Sequence, residues 1–137
     1  MRLKLLFYTD SSPEIPTNYN HFLTSAIYSY LAKADKRYSS KLHDLCSYKF
    51  FTFSWLQVQK KKIVGCFMKI LSGEILWYIS SPSKEFIHTF ANGLVKICFL
   101  RIRDILFELR QIEVLPEVGI NSEMRFSCLS PIVVTTN

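Results

Sequence analysis

In the stretch LHDLCSYKFFTFSWL, residues 42–56, a histidine and a lysine stand six positions apart at the mouth of an aromatic-rich segment. His43 has the side chain best suited to give or take a proton near neutral pH. Lys49 carries a fixed cation with three donors, which fits negative charge building on phosphate oxygens. Proton transfer beside a polyanion is the chemistry this pair suggests.

Charge along the chain points the same way. Residues 1–62 hold ten Lys/Arg against four Asp/Glu, and residues 63–137 hold seven of each, so the net excess of +6 lies in the first part. A basic half beside a neutral half implies a polyanionic partner, nucleic acid first and an anionic membrane surface second. At 137 residues, 49% of them hydrophobic and 15% aromatic, the sequence is that of one globular domain with a core. MRLKLLFYTD is not a signal peptide, because its apolar run is short and Asp10 and SSPEIP follow at once. No segment approaches the roughly 18 apolar residues of a membrane span. Cys46, Cys66, Cys98 and Cys128 form no CxxC pair, which argues against a zinc ribbon and for buried, reduced thiols in a cytoplasmic protein. No metal and no cofactor are expected.

The elements that must position His43 and Lys49 follow from periodicity. Arg2–Tyr8 alternates as a half-buried strand, and SSPEIP is a loop. From about Tyr19 to Ala34 the spacing is helical, with Leu23, Ile27 and Leu31 in one row and Phe22, Ala26 and Tyr30 in another. His21, Ser25, Tyr28 and Ala32 form a stripe beside those rows. DKRYSSK is a polar connection, and SKLHDLC a single helical turn capped by Ser39 or Ser40. Such a reversal returns His43 toward Tyr28.

Tyr48–Leu56 reads as a strand of alternating aromatics, with Phe51, Phe53 and Trp55 mostly in the core. Lys60, Lys61 and Lys62 form a hairpin tip, and Ile63–Ile70 the returning strand. Ile75–Ser80 is a further strand. A second helix opens at SSPSKEF with Ser81 as N-cap and Pro82 at its first position, burying Phe86, Phe90 and Leu94. Ile105–Leu115 is a strand ending at Pro116, and Arg125–Thr135 is extended. The order implies an α+β fold, a ferredoxin-like (RRM-like) split βαβ sandwich with appended strands in a single domain.

MRLKLLFY, PTNYNHFLTSAIYSYL, KLHDLCSYKFFTFSWL, SGEILWYISSPSKEFIHTFANGL and MRFSCLSPIVV occur in that order from Met1 to the last few residues. The series resembles the N-terminal domain of the Cas6 family of CRISPR-associated endoribonucleases, which cut repeat RNA into guide units. The resemblance implies metal-independent cleavage in antiviral defence, by attack of a ribose 2′-hydroxyl on the adjacent phosphate, leaving 2′,3′-cyclic phosphate and 5′-hydroxyl ends. It implies a Tyr, a His and a Lys as catalytic residues, matched here by Tyr28 of AIYSY, His43 of KLHDL and Lys49 of SYKFF. His43 is then the general acid and Lys49 stabilises the crowded phosphate. Tyr28 serves as base or holds the 2′-hydroxyl, since a phenol of pKa near ~10 carries little phenolate at neutral pH.

Members of the family normally continue into a second ferredoxin-like domain with a Gly-rich loop. The glycines here are Gly65, Gly73, Gly93 and Gly119, so no such loop is present. Residues after about 124 resemble the start of the linker or strand leading to that domain. The partners implied are CRISPR repeat RNA, other Cas proteins of an effector complex, a separate C-terminal half, or a second copy of the chain. The alternative function is a non-catalytic or truncated RNA-binding relative, or a half-enzyme needing a C-terminal partner. Lys36, Arg37 and Lys41 flank His43 and, with Lys60–Lys62, are candidate phosphate contacts. His21, on the Tyr28 stripe, is the rival general acid. His88 shares a helix face with Lys84 and Asn92 and reads as solvated.

Overall fold

The computed structural model describes residues 1–45, 48–132, 134 and 136. At its centre lies strand β1 (Arg2–Tyr8), hydrogen-bonded on both sides. One neighbour is β7 (Glu74–Ser80) and the other β9 (Ile105–Leu115), both antiparallel to it. Beyond β7 lie β3 (Thr52–Phe53) and β4 (Gln57–Val58), and beyond β9 lies β8 (Phe99–Ile102). The order β3-β7-β1-β9-β8 is the ferredoxin-like sheet with one added edge strand. A second, three-stranded sheet joins β2 (Glu14–Pro16), β6 (Phe67–Ile70) and β5 (Lys61–Val64).

Two helices cover one face of the main sheet. Helix α1 (Asn20–Ala34) buries the row Leu23, Ile27 and Leu31, with Tyr30 from the second row. Helix α3 (Lys84–Ile97) buries Phe86, Phe90 and Leu94, as its period demands. These meet Leu3, Leu5 and Phe7 of β1 and Ile75, Trp77 and Ile79 of β7 in one core. Aromatic edges set its geometry: Phe90 meets Trp77 at 6.3 Å and Tyr30 at 5.4 Å between ring centroids, both steeply inclined.

The α1–α3 crossing depends on a glycine inside a helix. A Cβ on Gly93 would fall on the Tyr30 carbonyl group and within 2.9 Å of the Tyr30 Cα. Gly within a helix costs about 1 kcal/mol relative to Ala. Here that cost lets two backbones touch.

Several local readings are corrected by the structure. SSPEIP is not wholly loop: Glu14–Pro16 pairs with β6 at a sheet edge, where Pro16 needs no ladder donor. DKRYSSK is not a connection but most of helix α2 (Lys36–Asp44), capped by Asp35 rather than by Ser39 or Ser40. Helix α3 is capped by Ser83, whose hydroxyl accepts from the Phe86 N–H at 3.2 Å, so Ser81 and Pro82 precede it. Tyr48–Leu56 is broken into short pieces, because Phe50 takes a left-handed φ of 42° that no strand tolerates. Phe51 and Phe53 remain half-buried, Phe51 stacked on Phe86 at 4.8 Å, but Trp55 turns outward at 46% exposure. The hairpin tip is Gly65–Cys66, with Gly65 at φ 60° in the first loop position, so Lys61 and Lys62 lie in β5. The short strand β8 follows α3 at once and had no signal of its own. The described part of Arg125–Thr135 forms no strand; Val133 and Thr135 lie outside the described residues.

The cysteines are a further correction. Cys66, Cys98 and Cys128 are free and exposed, because they sit at a hairpin tip, a helix end and the C-terminal segment rather than in the core. Cys46 lies outside the described residues.

Replacing Gly93 with Ala is expected to lower stability by about 2 kcal/mol or more, since overpacking against backbone outweighs the helix-propensity gain. Thermal unfolding followed by circular dichroism should show a melting temperature lower by on the order of 8 °C. An unchanged or higher value would mean that the crossing is not tight.

Candidate active site

Tyr28 stands on the flank of α1, half-buried, and packs against the edge of the core. Its neighbours arrive because α1 and α2 are joined by a single residue. The Asp35 N–H closes α1 by donating to the Leu31 carbonyl at 2.8 Å. The Asp35 carboxylate then opens α2, accepting from the N–H groups of Arg37 and Tyr38 at 3.0 and 3.1 Å. One residue thus ends one helix with its backbone N–H and starts the next, in a new direction, with its side chain. Buried Ser39 and Leu42 dock α2 on α1, and the Ser39 hydroxyl donates to the Tyr28 carbonyl at 3.4 Å.

Folded back in this way, α2 brings the His43 ring to 5.3 Å from the Tyr28 ring, edge to face at 70°. The His43 side chain remains 71% exposed, with Nδ1 3.8 Å from the Asp44 carboxylate, so its proton can reach a ligand in solvent. Lys49 comes from a third segment. Its Nζ donates to the Tyr28 hydroxyl at 2.9 Å and stands 5.3 Å from the centre of that ring. A proton carrier, a cation and a phenol from three separate stretches therefore share one spot. Such a group can hold a hydroxyl, neutralise phosphate charge and protonate a leaving oxygen.

The backbone that aims Lys49 is itself held. Phe50 occupies the left-handed region, a conformation that costs a non-glycine residue about 1–2 kcal/mol. Its carbonyl accepts a 2.6 Å hydrogen bond from the hydroxyl of Ser81, which is buried. The same Ser81 oxygen accepts from the Ser83 N–H at 3.1 Å. The sequence pattern makes Ser81 a helix cap, whereas the structure gives it this bridging role. The only signal was a serine run, SSPS, with more hydroxyls than one cap needs.

Other candidates are distributed unevenly. Lys41 lines a cleft of about 230 Å³ beside the group, with Tyr38, Leu42, Tyr48, Lys49 and Phe50. Tyr48 and Phe50 are 85% and 66% exposed there. Lys36 and Arg37 sit in the first turn of α2, at its far end from His43. Lys60–Lys62 follow β4, which pairs with the Glu74 end of β7, whereas Thr52 pairs with Ser80. Six strand steps of about 3.3 Å separate those ends, so the triple lysine lies about 20 Å along the sheet and is not part of the group. The His21 ring lies against Phe22, centroids 4.0 Å apart and tilted by 39°, two turns from Tyr28, and His88 is exposed on α3. Among the described residues no three His, Cys, Asp or Glu side chains gather as metal ligands. None of the described helices is long and apolar enough to cross a membrane.

The architecture is shared with solved structures. One, described as a Cas6-related protein from Pyrococcus furiosus, superposes with a TM-score of 0.78 at 32% identity, covering 88% of this chain and 50% of the other. Another, described as an RAMP protein binding different RNA substrates, gives 0.72 at 28% identity over 87% and 50%. Both are ferredoxin-like neighbours. Residues 14–113 match the family model for the N-terminal part of the CRISPR-associated protein Cas6, and this chain belongs to the Cas6 family. A CRISPR-associated endoribonuclease Cas6 from Methanocaldococcus jannaschii is 39% identical over 116 residues, 85% of this chain and 46% of the relative. The chain thus spans about half the length of the relatives it matches.

Replacing Ser81 with Ala leaves the Phe50 carbonyl and the Ser83 N–H without their partner. The expected loss is about 1–3 kcal/mol, read from the urea midpoint. A variant as stable as the parent would show that the bend at Phe50 holds without Ser81.

Proposed function

We propose that this chain forms the catalytic N-terminal domain of a CRISPR repeat endoribonuclease, with Tyr28, His43 and Lys49 as its working residues. The observation that carries the reading is their meeting from three separate segments, with Lys49 and Tyr28 in direct hydrogen bond. The substrate oxygen O2′ forms a bond to phosphorus as the P–O5′ bond breaks. Tyr28, oriented by Lys49, holds the 2′-hydroxyl, whose proton passes to solvent. His43 as imidazolium donates a proton to O5′. His43 then regains a proton from solvent, so the net change is a proton moved from O2′ to O5′ and no metal ion and no further reactant is consumed. Lys49 offsets the charge on the phosphate oxygens. Lys41 extends the positive surface beside them.

The relatives support the reading by their names, an endoribonuclease in one case and an RNA-binding protein in another. On this reading the segment after about residue 124 leads toward the second ferredoxin-like domain that the resemblance implies. A non-catalytic RNA-binding role is the second reading, since Lys41 and Lys49 would hold phosphates whether or not His43 transfers a proton.

Purified chain mixed with its own repeat RNA in EDTA should yield cyclic-phosphate product. Replacing His43 with Ala should slow the cut by about 10²–10⁴-fold, the usual contribution of a positioned proton donor. Cleavage that needs added magnesium, or that ignores the substitution, would sink the catalytic reading. Salt-dependent binding without product would favour the second.

A further inference from the structure

On the other flank of α1 a groove of about 580 Å³ lies between that helix and edge strand β8. Lys33 reaches it from α1, and Arg101 and Arg103 from β8 and its turn. None of these three cations forms an ion pair with a described residue, and no carboxylate lines the groove. The Arg101 Nε donates to the Arg103 carbonyl at 2.9 Å, which ties the two positions together across the turn. Two aromatics share the lining: Phe22, braced by the His21 ring at 4.0 Å, and Phe99, 38% exposed. The floor is fixed by Tyr30, whose hydroxyl donates to the Phe99 carbonyl at 2.7 Å and whose phenol burial pushes well above its ordinary range.

Charged residues on an edge strand often serve only to block strand pairing. That accounts for Arg101. It does not account for Lys33, which faces the same space from a different element, nor for the partly exposed Phe22 and Phe99 beside the cations. Cations with aromatic faces among them and no acid are the composition that single-stranded nucleic acid requires, phosphates on the charges and bases on the rings. An acidic peptide would use the charges and leave the rings idle.

We infer that the groove between α1 and β8 is a second nucleic-acid subsite, holding one nucleotide or two of single-stranded RNA away from Tyr28. Lys33, Arg101 and Arg103 take the phosphates, and Phe22 and Phe99 take a base. The proposal rests on RNA being the ligand of the Tyr28 site. Both places lie on α1, on opposite flanks of a cylinder about 10 Å across. Between them runs the exposed stripe Ser25, Ser29 and Ala32, whose small side chains leave room for a strand to cross.

The test separates binding from cutting by using repeat RNA methylated at every 2′-oxygen, which the proposed chemistry cannot cleave. Fluorescence anisotropy over a salt series compares the parent with Lys33→Glu, Arg103→Asn and their combination. Asn tolerates the left-handed φ of 57° at position 103, so the turn is kept. Each single change should weaken binding by about five- to tenfold. The pair should flatten the slope of log Kd against log salt by about 1.4, the equivalent of two phosphate contacts on a single strand. Photo-cross-linking of 5-iodouridine RNA should map to Phe22 or Phe99. Unchanged affinity and slope in the double variant would overturn the subsite, as would no binding at all, or cross-links confined to Lys60–Lys62. Binding that depends on Lys33 and Arg103, with unmethylated RNA left uncut by the parent, would keep the subsite and remove the catalytic reading instead.

Discussion

The contact between Gly93 of α3 and the Tyr30 carbonyl of α1 fixes the rotation of α1 about its own axis. With no side chain between the backbones, α1 can sit in one azimuth only. That azimuth sends Leu23, Ile27 and Leu31 into the core and Tyr30 toward Phe90 and β8. It leaves Tyr28 on one flank, next to His43 and Lys49, and Lys33 on the other, next to Arg101. Both proposed places of RNA contact therefore inherit their geometry from one apolar crossing.

The Tyr28 group is held by hydrogen bonds that hide behind ordinary-looking residues. Asp35 serves two helices at once, and that economy makes the reversal tight enough for the His43 ring to meet Tyr28. Ser81 holds the bend at Phe50 while also receiving the chain that leads into α3. Its own backbone N–H and carbonyl pair with Met1, so the start of β1 is tied to the same corner. A strained φ at Phe50 persists because the surroundings over-determine it. Lys49 is aimed by the sum of these constraints rather than by any local preference.

Much of this was legible in the sequence where periodicity speaks. The rows of α1, the buried face of α3, and strands β1, β7 and β9 follow from spacing, because burial on one face imposes a period. The elements that escaped are those set by single hydrogen bonds or by very short pairing. Helix α2 read as a linker because its residues, KRYSSK, are polar and its cap, Asp35, looked like loop. The aromatic alternation of residues 48–56 suggested an unbroken strand, and nothing in it announces the reversal of φ at Phe50. Strand β8 is four residues between a helix and a two-residue turn, too short for a pattern. The meeting of Tyr28 with His43 was foreseeable as a reversal, whereas the grip of Ser81 on Phe50 joins positions 31 apart and has no sequence signature.

The azimuth of α1 also limits how its gene can change length. Each residue added inside an α-helix turns everything after it by about 100° and lifts it by about 1.5 Å. Inserted before Tyr30, one codon would swing the carbonyl away from Gly93 and send a neighbour into the crossing. Point substitutions on the outer stripe leave the helical phase untouched. The α1 segment can therefore change composition on its solvent side, outside the positions proposed to meet RNA, while remaining frozen in length.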